Sequence, residues 1–135
     1  MYNKVLVPVS LDESDTIESA FAAARHLASE GAEIHVIHVV ESIPAYFTTE
    51  IPQEILVDRR KELEAALIEV AKKIEGAIPH VMTGSPGIMI VEYAKKIEAD
   101  CIVIASHRPG LQDYFLGSTA ARVVRHAQCP VHVVR

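Results

Sequence analysis

Residues 105 to 119 of this chain hold the side chains best suited to chemistry: Ala105-Ser106-His107-Arg108-Pro109-Gly110, then Gly117-Ser118-Thr119. A glycine followed by two hydroxyl residues at a helix start leaves backbone N–H groups free and turns the positive end of the helix dipole outward, which suits an anion. Arg108 can pair bidentately with a phosphate, and His107 can donate to or accept from a ribose or phosphate oxygen. The same Gly-Ser-Thr also serves an ordinary capped helix after a turn, and Pro109-Gly110 is a common turn pair. The stretch carries fewer glycines than a phosphate-cradling loop usually does, so residue types alone leave both readings open.

Other chemistries find little support. There is no G-x-x-x-x-G-K-[ST], and no G-x-G-x-x-G follows the first apolar run, which removes the P-loop and the dinucleotide fingerprint. G-x-S-x-G is absent as well, and with it the usual nucleophile elbow. His35, His38, His80 and His132 fall in apolar runs without acidic or thiol partners at metal-ligand spacing and read as strand or core histidines. The acidic "SLDESD" of residues 10 to 15 reads as a polar loop capping the first helix rather than as a metal site. No catalytic residue and no metal ligand is assigned.

These residues must be positioned by regular elements. "KVLVPV" (4 to 9) is a β-branched run ended by a proline and polar residues, as a buried strand would be. From Ile17, apolar residues recur at helical spacing to Ala28, with Asp15 and Glu18 placed as a capping box and Gly31 as the stop. "EIHVIHVV" (33 to 40) is the second strand, apolar on both faces apart from its histidines. Pro44 and Pro52 mark a loop of functional length over 41 to 57. The next helix carries Ile55, Leu56, Leu63, Leu67, Val70 and Ile74 on one stripe, a charged face that reads as solvated, and an end at Gly76.

In "AIPHVMTG" (77 to 84), Pro79 denies the strand a backbone donor and favours a sheet edge. Ser85 and Pro86 suit the N-cap and first position of the third helix. "DCIVIAS" is the fourth strand; a helix from Ser118 to about Ala127 and the strand "PVHVVR" complete the chain. Alternating strands and helices imply an α/β fold with a doubly wound parallel sheet, whose ligands sit beyond the carboxyl ends of the strands where strand order reverses. The loop after Ile104 belongs at that crevice if strands 1 and 4 flank it.

The 135 residues, 50% hydrophobic, suffice for one compact domain. A net charge of -5 with thirteen scattered Lys and Arg residues gives no basic stripe, so nucleic acid is not an expected partner. No apolar run approaches the roughly 18 residues of a membrane span, and the first residues lack a signal peptide's pattern. No membrane partner and a cytoplasmic location are expected. Cys101 and Cys129 match no metal or redox spacing and read as buried reduced thiols, with a disulfide or a reactive Cys129 as the other outcome.

The chain resembles the universal stress protein family in its short, single-domain form. "YNKVLVPVSLDES" is similar to the family's opening strand and loop, "AEIHVIHVV" to its second strand, "GSPGIMIVEYAKKIEADCIVIASH" to its third helix and fourth strand, and "LGSTAARVVRHAQCPVHVVR" to its closing helix and strand. The resemblance implies one domain over residues 1 to 135 with an adenine-nucleotide alpha hydrolase-like fold: an open five-stranded parallel sheet of order 3-2-1-4-5 with about four helices. It also implies a site for ATP or AMP, with or without Mg. The backbone of Val39 would meet the adenine, Pro8 and Val9 would line its pocket, and Ser10 would lie near the ribose. Ala105, His107, Arg108 and Gly110 of the loop, with Gly117, Ser118 and Thr119, would hold the phosphates.

Nucleotide-binding members carry Gly, two residues, Gly, nine residues, Gly and then Ser or Thr. Here Gly117-Ser118 matches the final pair, Ala105 stands at the first glycine, and the second is deleted between His107 and Arg108, which shortens the loop by one residue. Ser10 replaces a common aspartate. Alanine at 105 is harmless where φ is negative and obstructive where φ must be positive. The function implied is a stress-response protein that binds an adenine nucleotide as a ligand and signals through its assembly or partners, with at most slow hydrolysis or autophosphorylation. The other reading is an interaction module with a vestigial site. A homodimer through the apolar edge strand "PVHVVR" is also implied.

Overall fold

The computed structural model describes residues 1–42, 50–106 and 116–135. The elements run β1 (Tyr2–Pro8), α1 (Ser14–Leu27), β2 (Ala28–Val40), α2 (Gln53–Ala71), β3 (Ile78–Thr83), α3 (Pro86–Ile97), β4 (Cys101–Ala105), α4 (Ser118–His126) and β5 (Val131–Val134). All four strand pairings are parallel and the order is β3-β2-β1-β4-β5. The expected order is therefore found, with four helices among the described residues.

The central strands are buried through consecutive residues: Val5, Leu6 and Val7 in β1, Val36 and Ile37 in β2, Ile102 and Val103 in β4. Side chains alternate across a strand, so such runs need cover on both faces. Val5, Val7, Val36 and Val103 pack with Ile17, Phe21 and Ala24 of α1 and Leu67 and Ala71 of α2. Leu6, Ile37, Ile102 and Ile104 pack with Ile90, Val91 and Ala94 of α3 and Ala120 and Val123 of α4. Helices change face between the β1–β2–β3 half and the β4–β5 half, so the topological switch lies between β1 and β4. Pairing there runs through Val5↔Cys101 and Leu6↔Ile102, while β1 continues to Pro8 and β4 to Ala105. The two strands part at their carboxyl ends, which opens the crevice.

Several local expectations are corrected. Asp15 and Glu18 form no capping box: α1 starts one residue before Asp15 and has no side-chain cap bond, and Glu18 pairs instead with Lys73 beyond the end of α2. That ammonium lowers the pKa of the Glu18 carboxyl. Gly31 does not stop α1, which ends at Leu27; it sits at φ +78 inside β2, where the register jumps from Tyr2↔Ala28 to Lys4↔Glu33. A residue without a Cβ accepts that left-handed turn at no steric cost. α2 ends at Ala71 rather than Gly76, and of its apolar stripe Leu67 is buried whereas Ile55 is 57% exposed. Cys101 is buried and Cys129 only half-buried, both as free thiols.

β3, with Pro79, is an edge strand as its composition implies, and β5 is the other edge. His35 is buried with its Nε2 2.6 Å from the Glu33 carboxylate, and the Tyr93 hydroxyl lies 3.4 Å from its Nδ1. His80 stacks on the Tyr93 ring at 5.2 Å between centroids. Both histidines are thus partnered within the sheet and α3. Among the described residues no helix is long and apolar enough to cross a membrane.

Candidate functional site

A cavity of about 670 Å³ opens at the carboxyl ends of the strands, over the switch between β1 and β4. Its size falls in the range of small-molecule sites, about 300–1,000 Å³. The end of β1 contributes Pro8, Val9 and Ser10, and the end of β2 contributes His38, Val39, Val40 and Glu41. From the other side come Ile104, Ala105 and Ser106 after β4 and Gly117, Ser118, Thr119 and Ala120 at the start of α4. Eight of the residues singled out in the sequence, Pro8, Val9, Ser10, Val39, Ala105, Gly117, Ser118 and Thr119, are therefore brought to one wall or another of this cavity. His107, Arg108 and Gly110 lie outside the described residues.

The α4 corner has the polarity of an anion site. Gly117 is the N-cap in an extended conformation with no side-chain cap bond. Its own N–H donates to the Ser106 carbonyl at 2.6 Å. The amides of Ser118, Thr119 and Ala120 have no intrahelical acceptor, as in the first turn of any helix. Ser106 is itself buried, and its N–H donates to the Val134 carbonyl at 2.8 Å, which ties the corner to β5. Ala105 has no positive φ, since Glu98 is the only non-glycine in that region among the described residues. Alanine in place of glycine at 105 therefore costs no backbone strain.

The charged side chains of the lining come from other elements. Asp12 and Glu13 enter from the turn after β1, Glu41 follows β2, and Arg59 reaches the cavity from α2, one turn before Leu63 on the same wall. The turn itself is closed by the Glu13 N–H donating to the Ser10 carbonyl at 3.1 Å. The β4–α4 corner presents hydroxyls and amides without carboxylates among its described residues. The amides at the start of α4 favour an anion there.

Sequence reasoning missed four of these residues. His38 reads as a strand histidine from its place in an apolar run, yet it lines the cavity with Nδ1 3.0 Å from the Val9 carbonyl oxygen. Asp12 and Glu13 read as a helix-capping loop, and Arg59 as part of a solvated face. The signal available for Arg59 was its i,i+4 spacing to Leu63, which puts the two on one side of the helix.

The universal stress protein family model matches residues 1–135. The chain belongs to the universal stress protein family. Universal stress protein G of Salmonella typhimurium is 30% identical over the full length of both chains. Universal stress protein MJ0531 of Methanocaldococcus jannaschii is 36% identical, with all of this chain and 83% of the relative aligned. Among solved structures, the hypothetical protein MJ0577 superposes with a TM-score of 0.83 at 26% identity, covering 99% of this chain and 96% of the other. The universal stress protein of Archaeoglobus fulgidus, solved with dAMP, shares the fold at a TM-score of 0.66 and 22% identity, covering 99% and 98%. A universal stress protein solved with cAMP does so at 0.73 and 20%, covering 99% and 97%.

Proposed function

We propose that this universal stress protein binds an adenine nucleotide, ATP or AMP, in the cavity over β1 and β4, and acts in the stress response as a ligand-dependent regulator rather than as an efficient enzyme. The observation that carries the reading is the pairing, in one cavity, of amides without an intrahelical acceptor at the start of α4 with the backbone ends of β1 and β2. Phosphates would lie at Gly117, Ser118 and Thr119, with Ala105, His107, Arg108 and Gly110 as further residues that would hold them. Pro8, Val9, Ser10 and Val39 would hold the nucleoside. Relatives of the same fold solved with dAMP and cAMP support this choice of ligand class. In the shortened loop Arg108 replaces backbone donors that the missing glycine would have supplied. A magnesium ion accompanying ATP would offset the carboxylates of Asp12, Glu13 and Glu41.

The carboxylates also favour a second reading, in which the cavity no longer takes a polyanion and the protein works as an interaction module. Isothermal titration with AMP and ATP, with and without magnesium, on the wild type and Arg108→Ala separates the two. Saturable binding weakened by the substitution supports the nucleotide reading; no heat at millimolar ligand supports the module. In either case a cytoplasmic homodimer paired through β5 is the proposed assembly. β5 is an edge strand with Val131, Val133 and Val134 only partly covered, and a monomer by light scattering at micromolar concentration overturns it.

A further inference from the structure

Among the described residues, one ring nitrogen of His38 has a hydrogen-bond partner and the other has none. Nδ1 lies 3.0 Å from the Val9 carbonyl oxygen, and a carbonyl only accepts, so Nδ1 carries a proton. The Val9 N–H donates to the Ile37 carbonyl at 2.8 Å, so β2 holds the end of β1 through both polar groups of one residue. The ring's tautomer is thereby set by the backbone. Nε2 has no partner among the described residues. It is a hydrogen-bond acceptor in the neutral ring and a donor in the imidazolium.

β2 stands two strands from β4, about 10 Å at ordinary strand spacing. A nucleotide with its phosphate at the start of α4 therefore carries its nucleoside over β1 and β2, beside His38. We infer that the neutral imidazole of His38 accepts, at Nε2, a hydrogen bond from a donor on the nucleoside, a ribose hydroxyl or the exocyclic amine, and that protonation of His38 weakens the complex. The inference rests on the adenine-nucleotide reading above and adds a contact and a pH response to it.

Histidine is the side chain that changes charge between about pH 5 and 8. Protonation sets donor against donor at contact distance, worth about tenfold in affinity. The new positive charge attracts a phosphate about 10 Å away, beyond a Debye length at physiological salt, so this opposing effect is about two- to threefold. Affinity therefore falls with pH. Among the described residues, the other charged groups of the cavity are Asp12 and Glu13 after β1, Glu41 after β2 and Arg59 on α2. Their contribution is common to the wild type and the His38 variants. The α3 residues lining the cavity, Pro86 and Ile90, carry no titratable group, and β4 and α4 add only hydroxyls and amides. His107, outside the described residues, is a second imidazole, so the informative quantity is the difference between the wild type and a His38 variant.

The test is titration of the full chain with AMP from pH 5.5 to 8.0, for the wild type, His38→Asn and His38→Gln. Asparagine keeps an N–H donor for the Val9 carbonyl but places nothing at Nε2; glutamine places an oxygen acceptor there that does not titrate. Relative to the wild type, His38→Asn is expected to bind about tenfold more weakly at pH 8.0 and to lose the His38 share of the pH slope. His38→Gln is expected to stay within about threefold at pH 8.0 with the same flattened slope. At pH 8.0, 2′-deoxy-AMP, 3′-deoxy-AMP and the analogue lacking the 6-amino group identify the donor: one loses about tenfold on the wild type and little on His38→Asn. Binding whose affinity and pH profile are unchanged in both variants makes His38 a structural residue and overturns this inference alone. No saturable binding by the wild type at any pH overturns the nucleotide reading together with it.

Discussion

The Gly117 amide donates to the Ser106 carbonyl at 2.6 Å, so the chain leaves β4 and begins α4 side by side at the mouth of the cavity. The bond spends the amide of the N-cap residue on the scaffold, and the next three have no intrahelical acceptor.

Gly117 itself has φ -60 and ψ 154, a conformation open to any residue. Gly117→Val is therefore expected to keep the fold, with a melting temperature within about 2 °C of wild type, while its branched side chain crowds the amides of Ser118 and Thr119. AMP affinity should drop about tenfold or more by titration calorimetry. Unchanged affinity would put the phosphate elsewhere.

Burial, reinforced by the nearby Cys129 thiol and Asp100 carboxylate, pushes the Cys101 thiol up to about 11. An unfolded cysteine loses its proton near 8.5, so between about 8.5 and 11 the folded state holds more protons than the unfolded one. Stability present below that window is lost as pH rises through it, by up to about 3 kcal/mol. Burial raises Cys129 and Tyr93 in the same direction. Urea unfolding at pH 7, 9 and 10.5 should show the decline, and Cys101→Ala should flatten it. Native Cys101 should also resist iodoacetamide at pH 8, where rapid alkylation would contradict the assigned burial.

Gly87, in the first turn of α3, lies under the stem of Arg122 on α4: a Cβ there would meet the Arg122 Cδ at 2.7 Å, Cβ at 3.0 Å and Cγ at 3.1 Å. Alanine gains up to about 1 kcal/mol of helix propensity, but the Arg122 Cβ is fixed to its helix and cannot swing away, so overpacking of about 1–3 kcal/mol should prevail. Gly87→Ala is expected to destabilise by about 1 kcal/mol net in urea unfolding. Combined with Arg122→Ala, which removes the two outer atoms, it should show a coupling of about 1 kcal/mol. Strictly additive changes would mean that α3 and α4 shift apart freely.

Much of this architecture is legible in the residues themselves. The runs "VLV", "VI" and "CIVI" are apolar at every position, which only a strand covered on both faces requires, and Pro79 marks its own strand as an edge because it lacks a donor. The start of α4 is legible because Gly-Ser-Thr ahead of an amphipathic segment has a local meaning. The failures share a different cause. Glu18 had a local partner available in a capping box and takes Lys73, far along the chain. Gly31 suits a helix stop, but its positive φ serves a register jump against β1, which depends on pairing rather than on neighbours in sequence.

The sequence by itself determined the succession of elements and the parallel sheet, because these follow from periodicity and backbone chemistry over a few residues. Only the tertiary structure decided which side chains share the cavity. His38 lines the cavity because β1 ends beside it, and Val9 claims one of its nitrogens. Arg59 joins because α2 crosses to the same wall. Both depend on distances between segments far apart in the chain, which packing sets and no local pattern encodes.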